Sequence, residues 1–317
     1  MNAQKIKLKK ASKVSVTTLI ENYTQSLLLS DERVERATLV KDGVRKPPLL
    51  AEHGLSLLID VCNDSEQHFV LIDFGGSKVG VPHNMEILEI DVNEIEAFVI
   101  SHGHHDHVGA IFEILNSLKN KPRPVVVHPD AFLQTRFHKF PDGRRVPIPG
   151  LKESIIEETG NEMILAKSPT LLAGDYVLAT GQIPMINDFE KGVPTAFYEK
   201  DGKEYKDHIS DDMAVVLDVK DKGLVVITGC GHAGLINTIR YAKEITGAEK
   251  IYGVMGGFHL IGNLGEAIIE KTIEQMKKFD PQIIVPSHCT GLKAIQEFEK
   301  NFYDAFVLDA SGTKVIL

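Results

Sequence analysis

The segment Ser101-His102-Gly103-His104-His105-Asp106-His107 constrains this chain more than any other. Five of its seven residues carry imidazole or carboxylate donors, a set that suits zinc, iron or manganese. The apolar run Ile95–Ser101 leads straight into it and predicts a strand. A period of two puts His102 and His104 on one face. A loop after the strand end can fold these side chains back toward one point. Asp106 and His107 then fall beyond the turn, where they can serve a second ion. Val108, Ile111, Phe112 and Leu115 have helical spacing, so a helix is expected to start at about His107.

Around this loop the chain reads as two halves of similar grammar. Strand-like runs at Val14–Asn22, Gly54–Cys62 and His68–Phe74 are separated by turn residues such as Asn63-Asp64 and Gly75-Gly76. Pro124–His128 is another. In the second half, Met213–Val219 and Gly223–Thr228 read as a hairpin, and Ile251–Met255 and Ile283–Pro286 as strands. Helical spacing marks Leu235 to Ile245, Ile269 to Phe279 and Leu292 to Phe302. Phe306–Leu317 reads as a hairpin around Ser311-Gly312. Strands followed by alternating strands and helices, twice over, predict an α/β layered fold: two sheets face to face with helices outside, an αββα sandwich. No linker divides residues 1–317, so one domain is expected. The Pro- and Gly-containing stretches at about 134–160 and 182–210 read as excursions that could cover a site.

One loop cannot supply all the ligands for two ions. Three later histidines also fall at strand ends, where layered α/β folds build sites. His232 lies in Gly229-Cys230-Gly231-His232-Ala233-Gly234. His259 follows Gly256-Gly257-Phe258, and His288 sits in Ser287-His288-Cys289-Thr290-Gly291.

His102-x-His104-x-Asp106-His107 resembles the HxHxDH signature of the metallo-β-lactamase-fold hydrolases. Asp73, in Leu-Ile-Asp-Phe-Gly-Gly, is similar to that family's DTG aspartate, with Phe74 in place of Thr. The resemblance spans roughly residues 14–317. It implies the αββα fold and a binuclear centre of two divalent ions, zinc first, with iron or manganese suited by the same donors. It further implies His102, His104 and His232 at one ion and Asp106, His107 and His288 at the other, with Cys230 or a hydroxide between them. Asp73 would orient the metal loop, Asp106 would also hold the attacking hydroxide, and His259 would act as general acid. Where the family carries a Gly-His-Thr turn, this chain has Ala179-Thr180-Gly181. Where the family has a bridging Asp, it has Cys230. The Gly-Cys-Gly-His-Ala-Gly, Gly-Gly-Phe-His-Leu and His-Cys-Thr-Gly motifs resemble the subgroup that includes the dihydropterin ribofuranosylaminobenzene phosphate synthases. Met185 and Gln182 depart from that subgroup's usual Arg and Glu. The expected activity is that of a metallo-hydrolase on a small phosphorylated substrate, with the synthase reaction as a related outcome. A non-catalytic ligand sensor and an RNA-processing nuclease are the alternatives.

Composition narrows the classes further. With 35 basic and 44 acidic residues the net charge is −9, which argues against a nucleic-acid partner. The longest apolar runs are strand-sized, and no apolar signal region follows the basic start, so neither a membrane nor a secretory destination is expected. Three cysteines form no disulfide framework and point to a reducing cytosol. Arg136, Arg144 and Arg145 reverse the sign of charge locally and are candidates for steering an anion. The turn Gly229–Gly234 opens a helix whose N–H groups could hold a phosphate.

Overall fold

The computed structural model describes residues 5–38, 40–63 and 66–317. Asp64 of the predicted turn lies outside them. Two sheets dominate. The first has eight strands in the order Glu162–Leu165, Pro124–Val127, Ile95–Val99, Glu66–Ile72, Ser56–Asn63, Lys13–Ile20, Thr313–Ile316 and Val34–Arg36. The second runs Thr170–Leu172, Val177–Ala179, Ala214–Val219, Gly223–Thr228, Ile251–Gly257 and Ile283–Ser287, and Lys10–Ala11 joins Ala214–Val219 in parallel.

Strand alternation builds three apolar layers. Val16, Ile59, Val99, Val215, Ile227 and Val285 meet between the sheets. Their neighbours point outward. Leu58, Leu71 and Phe98 pack beneath Val81 and Leu115, from the helices Gly80–Ile87 and Ile111–Ser117. Val216, Val254 and Ile284 pack beneath Ile239, Met276 and Phe298, from Leu235–Thr246, Ile269–Phe279 and Leu292–Asn301. The result is the αββα sandwich, each sheet burying one face on the other and one face on helices. Among the described residues no helix is long and apolar enough to cross a membrane.

Two local expectations need correction. His105–His107 is a single 3-10 turn, and the following helix starts at Ile111 rather than at about His107. The backbone reverses here because His107 N donates to the carbonyl of His104, leaving no room for a regular first turn. The C-terminus is no hairpin. Phe306 bridges Ile284 in the second sheet, and Thr313–Ile316 then pairs with both Lys13–Ile20 and Val34–Arg36 in the first. The Ser311-Gly312 turn therefore carries the chain from one sheet to the other, with Gly312 N bonded to Thr18 O. The two excursions pair with each other. Arg136–Lys139 pairs with Arg145–Pro147 from the first and with Ala196–Lys200 from the second, and Lys203–Lys206 completes a four-stranded antiparallel sheet.

Candidate metal centre

The histidine loop is fixed at both ends by one carboxylate. Asp73 lies just past the Glu66–Ile72 strand. Its Oδ1 accepts from Ser101 N at 2.7 Å, and its Oδ2 accepts from Ser101 Oγ and His107 Nδ1, each also at 2.7 Å. In the middle of the loop, Gly103 N donates to Asp211 Oδ2 at 2.8 Å. A side chain at Gly103 would run into the Ala131 carbonyl at 2.1 Å, and one at Gly229 into Ser101 Oγ at 2.0 Å. Asp73, His259 and His288 all adopt left-handed backbone, with φ of 59°, 45° and 49°. Such strain in non-glycine residues is stored where a site requires it.

These supports bring the donors into two groups, one of His102, His104 and His232, the other of Asp106, His107, Cys230 and His288. Within each group the donor atoms lie within 4.8 Å of one another. His102 Nε2 is 3.2 Å from His232 Nε2, and His107 Nε2 is 3.2 Å from both His288 Nε2 and Cys230 Sγ. Two nitrogens of a tetrahedral zinc site with Zn–N of 2.0–2.1 Å sit roughly 3.3 Å apart. Three of the other ring nitrogens are already engaged, His107 Nδ1 by Asp73, His102 Nδ1 by Ser101 Oγ at 3.0 Å, and His288 Nδ1 by Asn22 Oδ1 at 3.1 Å, whereas His232 Nδ1 is buried without a partner among the described residues. Fixing Nδ1 in this way aims Nε2 inward.

The donor set fits a divalent cation on a second ground. His104 Nε2 is buried and has no hydrogen-bond partner among the described residues. An orphaned buried nitrogen of this kind costs about 1–3 kcal/mol, and the ring is nevertheless held with one nitrogen in the first donor group, where a cation would coordinate it. Burial lowers the pKa of His104 to about 3 and holds His102 and His232 well below the usual range, so all three are neutral, the ligating form. At the second group burial opposes a charge on His107, but Asp73 and Asp106 together outweigh it and raise its pKa to about 9. Burial also works against the Asp106 carboxylate, yet His107, His288 and His104 hold it well below the usual carboxylate range. Burial pushes the Cys230 thiol up. A bound cation reverses that preference and favours thiolate.

Asp73→Asn keeps the volume but weakens the anchor on His107. Zinc affinity should fall about 10- to 100-fold, read by competition with a chromophoric chelator. Unchanged affinity would show that Asp73 does not orient the loop.

His259 reaches the same floor from the Ile251–Gly257 strand end. Its ring centroid is 4.2 Å from that of His232, and its Nδ1 is buried without a partner among the described residues. With Cys230 and Cys289 it forms a third cluster of donors. Sequence reasoning passed over Cys289, although it directly follows His288. It also missed Glu21 and Asn22. The Glu21 carboxylate accepts from His288 N at 2.9 and 3.0 Å, and Asn22 orients the His288 ring. Both lie at the end of the first long strand, some 266 positions away, and no local pattern marks them. Asp212 accepts from Ala233 N at 2.9 Å and so steadies the His232 turn. His53 Nε2 is 3.4 Å from Asp106 Oδ2, at the open side of the site.

The three arginines do not join this group. Arg136 is fully buried. Its Nε lies 2.9 Å from Asp207 Oδ2, and its guanidinium also pairs with both oxygens of Asp211. Its expected role in binding substrate is therefore corrected: it holds the carboxylate that holds Gly103. Arg144 pairs with Asp142 at 2.6 Å, and Arg145 with Glu199 and Glu204 at 3.1 and 3.3 Å. The local excess of positive charge is thus largely neutralised within the small sheet. The anion seat at the Leu235–Thr246 helix is also filled by the protein itself. Glu190 Oε1 and Oε2 accept from Ile236 N and Asn237 N, each at 2.9 Å, the arrangement that a helix N-terminus favours for a carboxylate.

Comparison with known proteins agrees with this geometry. The family model described as the metallo-β-lactamase superfamily matches residues 51–288. A 7,8-dihydropterin-6-methyl-4-(β-D-ribofuranosyl)-aminobenzene-5′-phosphate synthase of Methanocaldococcus jannaschii is 32% identical over 263 residues, covering 82% of this chain and 88% of the relative. The crystal structure of Tm1679, a metal-dependent hydrolase of the β-lactamase superfamily, superposes with a TM-score of 0.73 at 25% identity, covering 95% of this chain and 98% of that one. The metallo-β-lactamase fold protein YhfI from Bacillus subtilis shares the fold at 12% identity, with a TM-score of 0.53 and coverage of 96% of this chain and 100% of its own. This chain belongs to the metallo-β-lactamase superfamily.

Proposed function

We propose that the protein is a binuclear metal-dependent hydrolase of small phosphate esters or pyrophosphates. The observation that carries the reading is the convergence of two adjacent donor groups, His102/His104/His232 and Asp106/His107/Cys230/His288. Zinc is the first candidate, with iron and manganese suited by the same donors. When bound, two such ions clamp phosphate oxygens and lower the pKa of water to near neutrality.

The chain's own residues supply the rest. Neutral His102, His104 and His232 would hold one ion, and Asp106, His107, His288 and Cys230 the other. Asp106, with an oxygen 3.3 Å from His288 Nε2, faces the open side next to His53, where it can orient an attacking water. His259 stands beside His232 and is the proton donor to the leaving oxygen. Its neighbours bias it in that direction: burial lowers its pKa, but Cys289 together with Asp212 and Asp106 outweighs burial and leaves the ring more readily protonated than an ordinary histidine. The expected sequence is attack on phosphorus, departure of the ester oxygen, and protonation of that oxygen from His259.

The test is hydrolysis of bis(4-nitrophenyl) phosphate and of inorganic pyrophosphate by protein loaded in turn with zinc, manganese and iron(II). Turnover of either that disappears on chelation supports the reading, and none with any metal contradicts it. On an alkyl phosphate ester, whose alkoxide needs a proton to leave, His259→Ala should lower kcat about 10²- to 10⁴-fold, the usual contribution of a positioned acid, with a much smaller loss on bis(4-nitrophenyl) phosphate, whose 4-nitrophenolate leaves unprotonated, while the ion count stays the same. Loss of an ion instead would make His259 a ligand. Similarity to the named synthase supports a second reading at the same centre, group transfer with a second substrate in place of water. Product analysis with and without an acceptor separates the two.

A further inference from the structure

Cys230, Cys289 and His259 place one ligating atom each within 4.8 Å of the others. They come from three adjacent strands of the second sheet. Cys230 lies just past Gly223–Thr228, His259 just past Ile251–Gly257 and Cys289 just past Ile283–Ser287. These strands run parallel, so their C-terminal ends open on one edge. Gly257 lets the two cysteines approach across the middle strand. A Cβ there would stand 2.7 Å from Cys289 Sγ and 3.2 Å from Cys230 Cα.

Plain packing does not account for this cluster. A buried thiol usually serves as a small apolar filler. Cys230 and Cys289 are buried, yet an imidazole and a carboxylate stand beside them. Asp212 is close enough for its charge to act on His259 and Cys289, and its Oδ1 is buried without a partner among the described residues. The bond that Cys289 Sγ donates, to the Cys230 carbonyl at 3.2 Å, is a weak one. Two thiolates and one imidazole neutralise a divalent ion, which removes the penalty of burying net charge. Paired thiolates also select zinc, cobalt(II) or cadmium over manganese. Cys230 belongs to the second donor group as well. Its thiolate would bridge two ions, so the third position fills last and empties first.

We propose that Cys230, Cys289 and His259 form a third, inhibitory metal site for a thiophilic divalent ion such as zinc. Occupancy stands on the geometry alone. The inhibition rests on the hydrolase reading, in which His259 protonates the leaving oxygen. An imidazolium cannot hold an ion, so a filled third site and a protonated His259 exclude each other.

The first test is stoichiometry, which needs no turnover. In equilibrium dialysis against buffered free zinc, the wild type should hold about two ions at low zinc and about three at high zinc. Cys289→Ala should stop at about two throughout, and its retention of those ions shows that it has folded. With manganese both proteins should stop at about two. A cobalt(II) titration of the wild type needs no variant. The third equivalent brings in Cys289 and should at least about double the thiolate-to-cobalt charge-transfer absorption. Three results would each overturn the site: a wild type that stops at two zinc ions, a third ion that Cys289→Ala still takes up, or a third cobalt that leaves the band unchanged. The second test is turnover of an alkyl phosphate ester. Zinc at the level that fills the third site should lower wild-type kcat at least about tenfold and leave Cys289→Ala at its own low-zinc rate. A filled site with unchanged kcat would overturn the inhibition. A third ion without hydrolysis of any ester would sink the hydrolase reading and leave the site standing. Hydrolysis by protein that never takes more than two ions would do the reverse.

Discussion

Replacing His107 with alanine should strip one ion from the centre and reduce turnover by about 10³-fold or more. His107 Nε2 stands 3.2 Å from both Cys230 Sγ and His288 Nε2, so its loss opens the second donor group at its middle. Metal assistance is worth several kcal/mol of transition-state stabilisation, and each 1.36 kcal/mol is a factor of ten in rate. Elemental analysis and kcat on bis(4-nitrophenyl) phosphate read the two effects together. An unchanged ion count with turnover within about fivefold of wild type would remove His107 from the centre. A non-catalytic ligand sensor would retain ligand binding in the same variant.

Arg136→Met should cost more stability than any surface change in the chain. The guanidinium is fully buried between Asp207 and Asp211. Methionine fills much of its volume but leaves two carboxylates buried without their counter-charge. Breaking a buried pair from one side costs about 3–5 kcal/mol, which for a chain of this size lowers the unfolding midpoint on the order of 10 °C. Metal affinity should fall as well, because Asp211 also holds Gly103 N within the histidine loop. Arg144, whose side chain is 71% exposed, serves as the comparison, and its alanine variant should melt within about 1 °C of wild type. Equal midpoints for the two variants would show that the Arg136 network carries no structural load.

These two arginines also show where sequence reading stops. Charge counting registers Arg136, Arg144 and Arg145 as one basic stretch. Burial distinguishes them, and burial depends on Asp207, from the second excursion, and on Asp211, just past its end. The histidine loop was legible because its donors are local and ordered by strand period. His232, His259 and His288 were legible because each ends a strand in a fold that builds its sites at strand ends. Glu21, Asn22 and Glu190 were not, since their partners lie far along the chain and their own surroundings are ordinary. Glu190 in particular takes the helix terminus that the glycine-rich turn seemed to leave for a phosphate. The layered core was readable from alternation, as at Phe98 and Val99, which face opposite layers. The small sheet was not. Its strands come from two separate excursions, with paired residues such as Arg136 and Tyr198 far apart in sequence, and neither alternates clearly enough to announce its pairing. The C-terminal strand misled for a related reason: Ser311-Gly312 is a turn, but the partner strand beyond it is Lys13–Ile20 rather than its own neighbour.

The two donor groups should hold two ions in one chain. Elemental mass spectrometry on protein prepared without a metal-affinity tag, and again after reloading with zinc, manganese or iron(II), tests it directly. The account predicts close to two ions per chain, falling to about one in His107→Ala. A wild-type content near zero after reloading with each metal would contradict it.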